Sequence, residues 1–310
     1  MVIPRHDLLK GGDHYFPSIR TSDGCDLACP FCTVHITAIA RRTVIGKDRS
    51  ILEQEFKLLP KHRLYYLDTS DSFGADLRHT LDVALPFWKS TGVRWLTEMQ
   101  VEDLTVDHKG KPLAQLMAES GCRGVFLGIE VFEDKIGQKS VDAPKLRQAI
   151  RLCHEHGMLV MGGFILDVTG HETPDSLRRT VDWIIGQSQL DFVQYGLVAL
   201  LPGSALRMSA AKRGKIIDHN PTHLDGGWPT VDHQIPARER IELFHWALQQ
   251  TYSLGGIYSR ILPSRHGFKL HRLIGSIYAN RIFSNSARQW SVDGCYENWL
   301  ATKDISIYPG

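Results

Sequence analysis

The stretch Gly24-Cys25-Asp26-Leu27-Ala28-Cys29-Pro30-Phe31-Cys32 decides how the rest of the chain is read. Three of the six cysteines fall here within eight residues, spaced C-x3-C-x2-C, while Cys122, Cys153 and Cys295 are scattered singly. Spacings of two and three residues let thiolates on one loop converge on a single inorganic centre. A [4Fe-4S] cluster normally takes four thiolates. Three cysteines therefore leave one iron open to a substrate or cofactor, whereas a fully ligated cluster mainly carries electrons. Two other readings compete. One is a structural zinc site of the Cys3His type, with His35 as the fourth ligand. It lacks the second Cys/His knuckle that such sites usually have. The other is a coincidental set of buried or redox-active thiols, which so high a local density disfavours.

Composition sets outer bounds. A chain of 310 residues, 43% hydrophobic and 23% charged, can bury a substantial core as one large domain or two small ones. A net charge of +2 gives no electrostatic case for nucleic acid or a membrane surface. The first thirteen residues carry Arg5, His6, Asp7 and Lys10 and no apolar run, so they do not read as a signal peptide. No apolar stretch approaches membrane-spanning length. Thiols in this number, and a labile cluster, fit a reducing cytoplasm.

Working outward from the cysteine loop, residues 1–14 lead in, and Tyr15–Thr21 is a short strand that delivers the loop. Further strands are expected at Arg63–Asp68, Val93–Gln100, Arg123–Glu130, Met158–Asp167 and Asp191–Leu200. Helices alternate with them at Arg49–Leu59, Ala75–Lys89, Pro112–Ser120, Ala143–His156 and Thr173–Gln187. Pro60, Gly121 and Gly157 close helices, and Thr173 with Pro174 opens one. Six strands alternating with helices imply a parallel sheet with right-handed crossovers. No G-x-G-x-x-G opens a helix, which disfavours a dinucleotide fold. Curled into a barrel, the strand C-termini would bring the cysteine loop, Asp68 to Asp71, Glu98, Gln100, Glu130, Asp167 and Pro202 to Ser204 to one face. After residue 207 the periodicity weakens. Ala237–Ser253 and Gly267–Phe283 read as helices, and 207–310 as a mostly helical segment covering the barrel mouth.

Cys25, Cys29 and Cys32, with Phe31 before the last cysteine, resemble the signature of the radical S-adenosylmethionine (SAM) enzymes. The resemblance implies an α/β fold, a partial (β/α)6 TIM-like barrel over residues 15–206. It also implies a [4Fe-4S] cluster whose open iron chelates SAM, and reductive cleavage of SAM to a 5′-deoxyadenosyl radical. Further residues resemble the branch that holds cobalamin-type methylases, hopanoid methylases and the anaerobic magnesium-protoporphyrin cyclase. These are Pro4-Arg5-x-Asp7-Leu8-Leu9, Thr21-Ser22-x-Gly24-Cys25, Gly121-Cys122 before Gly128-Ile129-Glu130, Pro202-Gly203-Ser204 and Arg213-Gly214-Lys215. The likeness runs from about residue 4 to 260.

By position, the resemblance implies that Asp68, Thr69, Ser70 and Asp71 approach the SAM amino group, although the usual Gly-Gly-Glu is absent there. Glu130 would accept from the ribose hydroxyls. Ile165 and Asp167, on strand five, would line the adenine, with Leu166 where the family has a second glycine; Pro202 and Gly203 would turn the backbone beside it. Substrate candidates are His35, Glu98, Gln100 and Tyr195, with Arg41 and Arg42 near the cluster. Cys122, Cys153 and Cys295 read as packed apolar residues.

The resemblance implies a small-molecule substrate and an external one-electron donor such as flavodoxin or ferredoxin. Cobalamin-type relatives carry a cobalamin domain before the stretch matching Pro4 to Leu9, which here starts four residues from Met1, so bound cobalamin is not expected. Two alternatives stand beside hydrogen abstraction from an unactivated carbon. One is methyl transfer using cobalamin bound elsewhere. The other is a non-catalytic metal-binding or electron-transfer protein. Changing Cys25, Cys29 or Cys32 to Ala is expected to abolish SAM cleavage, and changing Cys122, Cys153 or Cys295 to leave it intact. An active Cys29→Ala protein, assayed anaerobically for 5′-deoxyadenosine, would refute the ligand assignment.

Overall fold

Six runs of extended chain form one sheet: β1 (Ser18–Ile19), β2 (Tyr66–Phe73), β3 (Trp95–Met99), β4 (Cys122–Glu130), β5 (Leu159–Ile165) and β6 (Phe192–Gly196). The computed structural model describes residues 3–8, 16–34, 43–132, 141–261, 270–288 and 291–305. Every neighbouring pair in the sheet is parallel, and the spatial order is the order in sequence. Such one-way winding with right-handed crossovers puts every crossover helix on the same face. Those helices are α1 (Arg49–Lys57), α2 (Leu85–Thr91), α3 (Leu113–Glu119), α4 (Ala143–Glu155) and α5 (Pro174–Gln187). β1 and β6 are the two edges and do not pair, so the barrel is partial and open.

Sequence chemistry accounts for the helix boundaries. Thr173 and Ser176 form a capping box, with Pro174 in the first turn. Asp142 caps α4 through Lys145 N–H. The helix expected at Ala75–Lys89 is interrupted by a π-turn at Thr80–Ala84 before α2, which ends on Gly92 at φ 68°.

The core lies between sheet and helices. Trp88 stacks on Trp95 at 5.3 Å and 10°, and Val125, Leu127, Ile129, Val160, Phe164 and Val193 are buried around them. Strand side chains alternate between faces. The opposite, hollow face therefore carries the more accessible residues: Thr69 and Asp71 of β2, Glu98 of β3, Glu130 of β4 and Gln194 of β6.

Beyond β6 come α6 (Ala205–Lys212), α7 (Ala237–Thr251), α8 (Leu254–Ile261), α9 (Leu270–Arg288) and α10 (Val292–Thr302). The sequence reading places this segment over the barrel mouth. The structure divides it. The connecting loop meets the strand ends, with Leu197 N–H donating to Gly226 O at 2.7 Å and Thr230 Oγ1 to Val198 O at 2.6 Å. Of the helices, α7 and α8 pack against α5, α7 and α9 against the free side of β6, and α10 against α7. An unpaired edge strand exposes N–H and C=O groups that need partners. Here the Tyr252 hydroxyl accepts from Val193 N–H and donates to Val193 O. Among the described residues no helix is long and apolar enough to cross a membrane.

One buried ion pair fastens the two parts together. Asp167, just past β5, accepts from Arg240 Nη1 of α7 at 2.7 Å and from Val198 N–H at 2.6 Å. Arg240 also donates to Val231 O at 2.7 Å, and both charged residues are 1% exposed. Removing one member of such a pair leaves the other buried without its counter-charge, at a cost of about 3–5 kcal/mol. Arg240→Met should lose that much stability in chemical denaturation; a midpoint and slope unchanged from wild type would show that the pair does not fasten the segment.

Candidate functional site

The cysteine loop leaves β1 at the C-terminal side of the sheet, and the strand beside it holds it in place. Asp68 of β2 is the main brace. Its carboxylate accepts from Thr21 Oγ1 at 2.7 Å, Thr21 N–H at 3.3 Å, Ser70 Oγ at 2.7 Å, Ser70 N–H at 3.1 Å and Trp88 Nε1 at 2.8 Å. Ser70 Oγ in turn accepts from Ser22 N–H at 2.9 Å. Asp71 accepts from Gly24 N–H at 2.8 Å, and Gly24 sits at φ 98°, a conformation that glycine adopts without strain. Three residues of the loop's first leg, Thr21, Ser22 and Gly24, are thus held by β2.

The second leg is held by apolar packing. Phe31, immediately before Cys32, packs with Ile165, Leu206 and Val231 against buried Val131, Val168 and Val198. Pro30 O accepts from Leu206 N–H at 2.8 Å, which joins the loop to the first turn of α6. Pro202 and Gly203 form the exposed turn before that helix, with Gly203 at φ 87°, and Ser204 caps it.

None of the six cysteines is in a disulfide; Cys29 is buried, and Cys25 and Cys32 are partly exposed. Among the described residues, no group of three or more His, Cys, Asp or Glu side chains is close enough to hold a single metal ion. Ligands to three different irons of a cluster stand farther apart than ligands to one ion. The donor chemistry, three thiols on one braced loop at the open strand ends, fits an iron-sulfur cluster. His35, the fourth ligand of the zinc reading, lies outside the described residues, as do Arg41 and Arg42.

The hollow face beside the loop is acidic. Glu98 is solvent-accessible yet surrounded on that face, and its proton affinity is raised, first by burial, then by Asp71 and by Glu130, with Arg20 opposing. Asp71, Glu98 and Glu130 come from three neighbouring strands, β2, β3 and β4. Arg20 stands 3.0 Å from Asp23 and 3.5 Å from Asp71. Glu130 ends β4 at φ 65°, beside a register shift between Gly128 and Glu130. A non-glycine residue held in the left-handed region is backbone strain of the kind that collects at functional sites.

Several sequence-expected residues are placed differently. Asp68 and Ser70 are buried and brace the loop, and only Thr69 and Asp71 of that turn reach the hollow face. Asp167 is engaged by Arg240. Gln100 donates to Asp26 at 3.0 Å and to Ser72 at 3.3 Å, so it steadies the cysteine loop. Tyr195 points to the helical side, where its hydroxyl shares a hydrogen bond with Thr251 at 2.9 Å and burial pushes its pKa up. Its neighbour Gln194 takes the hollow face instead. The signal for Gln194 was a lone amide inside Phe192-Val193-Gln194-Tyr195, and the signal for Arg20 was a cation directly before the loop.

Comparison with known proteins agrees with this geometry. No family model and no curated protein matches the sequence. Among solved structures, the fold matches TsrM from Kitasatospora setae, a radical SAM methyltransferase solved with cobalamin and a [4Fe-4S] cluster, and with tryptophan and a SAM analogue. The TM-scores are 0.52 and 0.53, at 22% and 21% identity. It also matches OxsB, a cobalamin-dependent SAM radical enzyme solved with aqua-cobalamin and SAM, at TM-score 0.58 and 12% identity. The alignment covers 64% of this chain and 39% of TsrM, and 93% of this chain and 50% of OxsB. The chain therefore has the radical SAM fold and spans half or less of these two proteins.

A further carboxyl group near the loop gives a test of the local electrostatics. Asp103 follows β3, and its Oδ2 is buried with no hydrogen-bond partner. Burial, then Asp26 of the cysteine loop, then Glu102, push its pKa up to about 7. The folded state thus binds this proton more tightly than the unfolded chain does. Its contribution to stability is full below about pH 4 and is lost as pH rises to about 7. Asp103→Asn removes that loss. The variant should gain melting temperature relative to wild type between pH 4 and pH 8; a constant difference across that range would contradict the placement.

Proposed function

We propose that this chain is a radical SAM enzyme, in which Cys25, Cys29 and Cys32 hold a [4Fe-4S] cluster and the hollow face of the sheet holds SAM. The single observation that carries this reading is the convergence of a braced three-cysteine loop with an acidic, strained strand-end face on the radical SAM fold. When bound, the cluster would supply the electron that cleaves SAM to a 5′-deoxyadenosyl radical, drawn from a donor such as flavodoxin or ferredoxin.

The chain's own residues orient and exclude. SAM carries an ammonium and a sulfonium, so a face bearing Asp71, Glu98 and Glu130 favours it electrostatically. A cation there also offsets the burial and the neighbouring carboxylates that raise the Glu98 pKa. Thr69 and Asp71 are the turn residues accessible to the ammonium, and Glu130 is the acceptor for the ribose hydroxyls. Ile165, in the apolar set that seats Phe31, would line the adenine, with the Pro202-Gly203 turn beside it. Glu98 and Gln194, farther along the hollow face, are the groups left to meet a substrate. The radical would abstract hydrogen from an unactivated carbon of a small metabolite or lipid-like intermediate, without bound cobalamin.

A second reading is favoured by one observation: TsrM and OxsB both bind cobalamin. Among the described residues there is one parallel sheet, so cobalamin would have to be held by something else. The reaction would then be methyl transfer. Anaerobic reconstitution with iron and sulfide, then reduction in the presence of SAM, separates the possibilities. Release of 5′-deoxyadenosine without cobalamin supports the first reading. S-adenosylhomocysteine formed only when hydroxocobalamin is added supports the second. An iron-loaded protein that leaves SAM intact under both conditions would end the enzyme reading. Glu130→Gln should keep its iron and bind SAM about five- to tenfold more weakly, because a charge-assisted hydrogen bond becomes a neutral one.

A further inference from the structure

The free side of β6 borders a cavity of about 400 Å³ that shares Gln194 with the hollow face but none of the residues assigned to the cluster or to SAM. Its walls are largely apolar: Trp228 from the connecting loop, Phe244 and Leu248 of α7, and Phe283 of α9. These walls are fixed by contacts outside the cavity. Trp228 stacks on His223 at 4.5 Å and 21°, and Phe283 stacks on Tyr252 at 5.3 Å and 17°. A preformed space of this size, with aromatic walls and few polar groups, is the usual form of a small-molecule site.

Besides Gln194, two polar groups give it direction. His245 lines the cavity, is 6% exposed, and has no hydrogen-bond partner among the described residues; its ring meets only the edge of Phe244, at 5.8 Å. An imidazole at the wall of a cavity is free to pair with a ligand there, or with water in its place. Burial lowers its pKa, which keeps the ring neutral, with one nitrogen able to donate and the other to accept. The second group is Asp225, exposed at the rim. Its Oδ1 accepts from Gly227 N–H at 2.9 Å. Among the described residues no lysine or arginine lines the space.

We propose that this cavity binds a flat, aromatic small molecule whose hydrogen-bonding heteroatom meets His245, and whose charge is neutral or positive because, among the described residues, the only ionised group lining the space is a carboxylate. A ligand there lies along β6, next to Gln194 and two strands from Glu130. The inference rests on the cavity and does not depend on the cluster. It is therefore tested by calorimetric titration of the full chain both before and after iron reconstitution. Tryptamine and indole-3-acetate are the probes, since they share a ring and differ in charge. Wild type should bind one tryptamine per chain, and indole-3-acetate at least tenfold more weakly. His245→Leu should weaken tryptamine about fivefold, the worth of one hydrogen bond. Leu248→Trp, which fills the space, should abolish binding; melting of each variant without ligand confirms its fold, and the His245→Leu arm stands if Leu248→Trp does not fold. No saturable tryptamine binding to wild type, equal affinity in His245→Leu, or indole-3-acetate binding as tightly as tryptamine would each overturn the proposal. Binding seen equally with and without iron separates this result from the fate of the radical SAM reading.

Discussion

The hydrogen bonds that Asp68 accepts from Thr21, Ser70 and Trp88 are the constraint on which the site depends. They join the first leg of the cysteine loop to the second strand and, through Trp88, to the aromatic core. A carboxylate can accept several hydrogen bonds at once, and a buried one needs them. The same group therefore satisfies its own burial and fixes the loop. Asp71 extends the clamp to Gly24, one residue before Cys25. Gln100 reaches the loop from the third strand through Asp26. Phe31 anchors the far leg by packing. Both legs of the loop that carries the three thiols are therefore fastened to the body of the fold.

One-way winding of the sheet explains why that hollow side exists. With every crossover helix on the other face, alternation along the strands sends Thr69, Asp71, Glu98, Glu130 and Gln194 to the face away from those helices. Burial, then the neighbouring Asp71 and Glu130, raise the proton affinity of Glu98. Such a face gains from a cationic guest. Its cost is carried by the surrounding scaffold, which also holds Glu130 in a left-handed conformation and buries the Asp167–Arg240 pair.

Much of this was legible in the sequence, and the limits have physical causes. The spacing of Cys25, Cys29 and Cys32, the six alternating strands and the Thr173-Pro174 helix start are local patterns, and the fold carries all of them. Which carboxylate braces and which faces the hollow side was not legible from the run Asp68-Thr69-Ser70-Asp71. That depends on strand register, and neighbouring residues of a strand face opposite ways. The same parity exchanges the expected roles of Tyr195 and Gln194. The Asp167–Arg240 pair spans 73 residues, so no window of sequence reveals it. The C-terminal helices were legible as helices. Their place along β6 follows from the need to cover an edge, which is known only once the strand order is known.

The central claim is that three cysteines hold a cluster whose fourth iron is open to SAM. Mössbauer spectroscopy of the protein reconstituted with ⁵⁷Fe tests it most directly. On adding SAM, one iron in four should move to a distinct, higher-coordinate spectrum while three remain tetrahedral in sulfur. A spectrum with all four irons equivalent and unchanged by SAM, or a protein that retains no iron, would contradict the account.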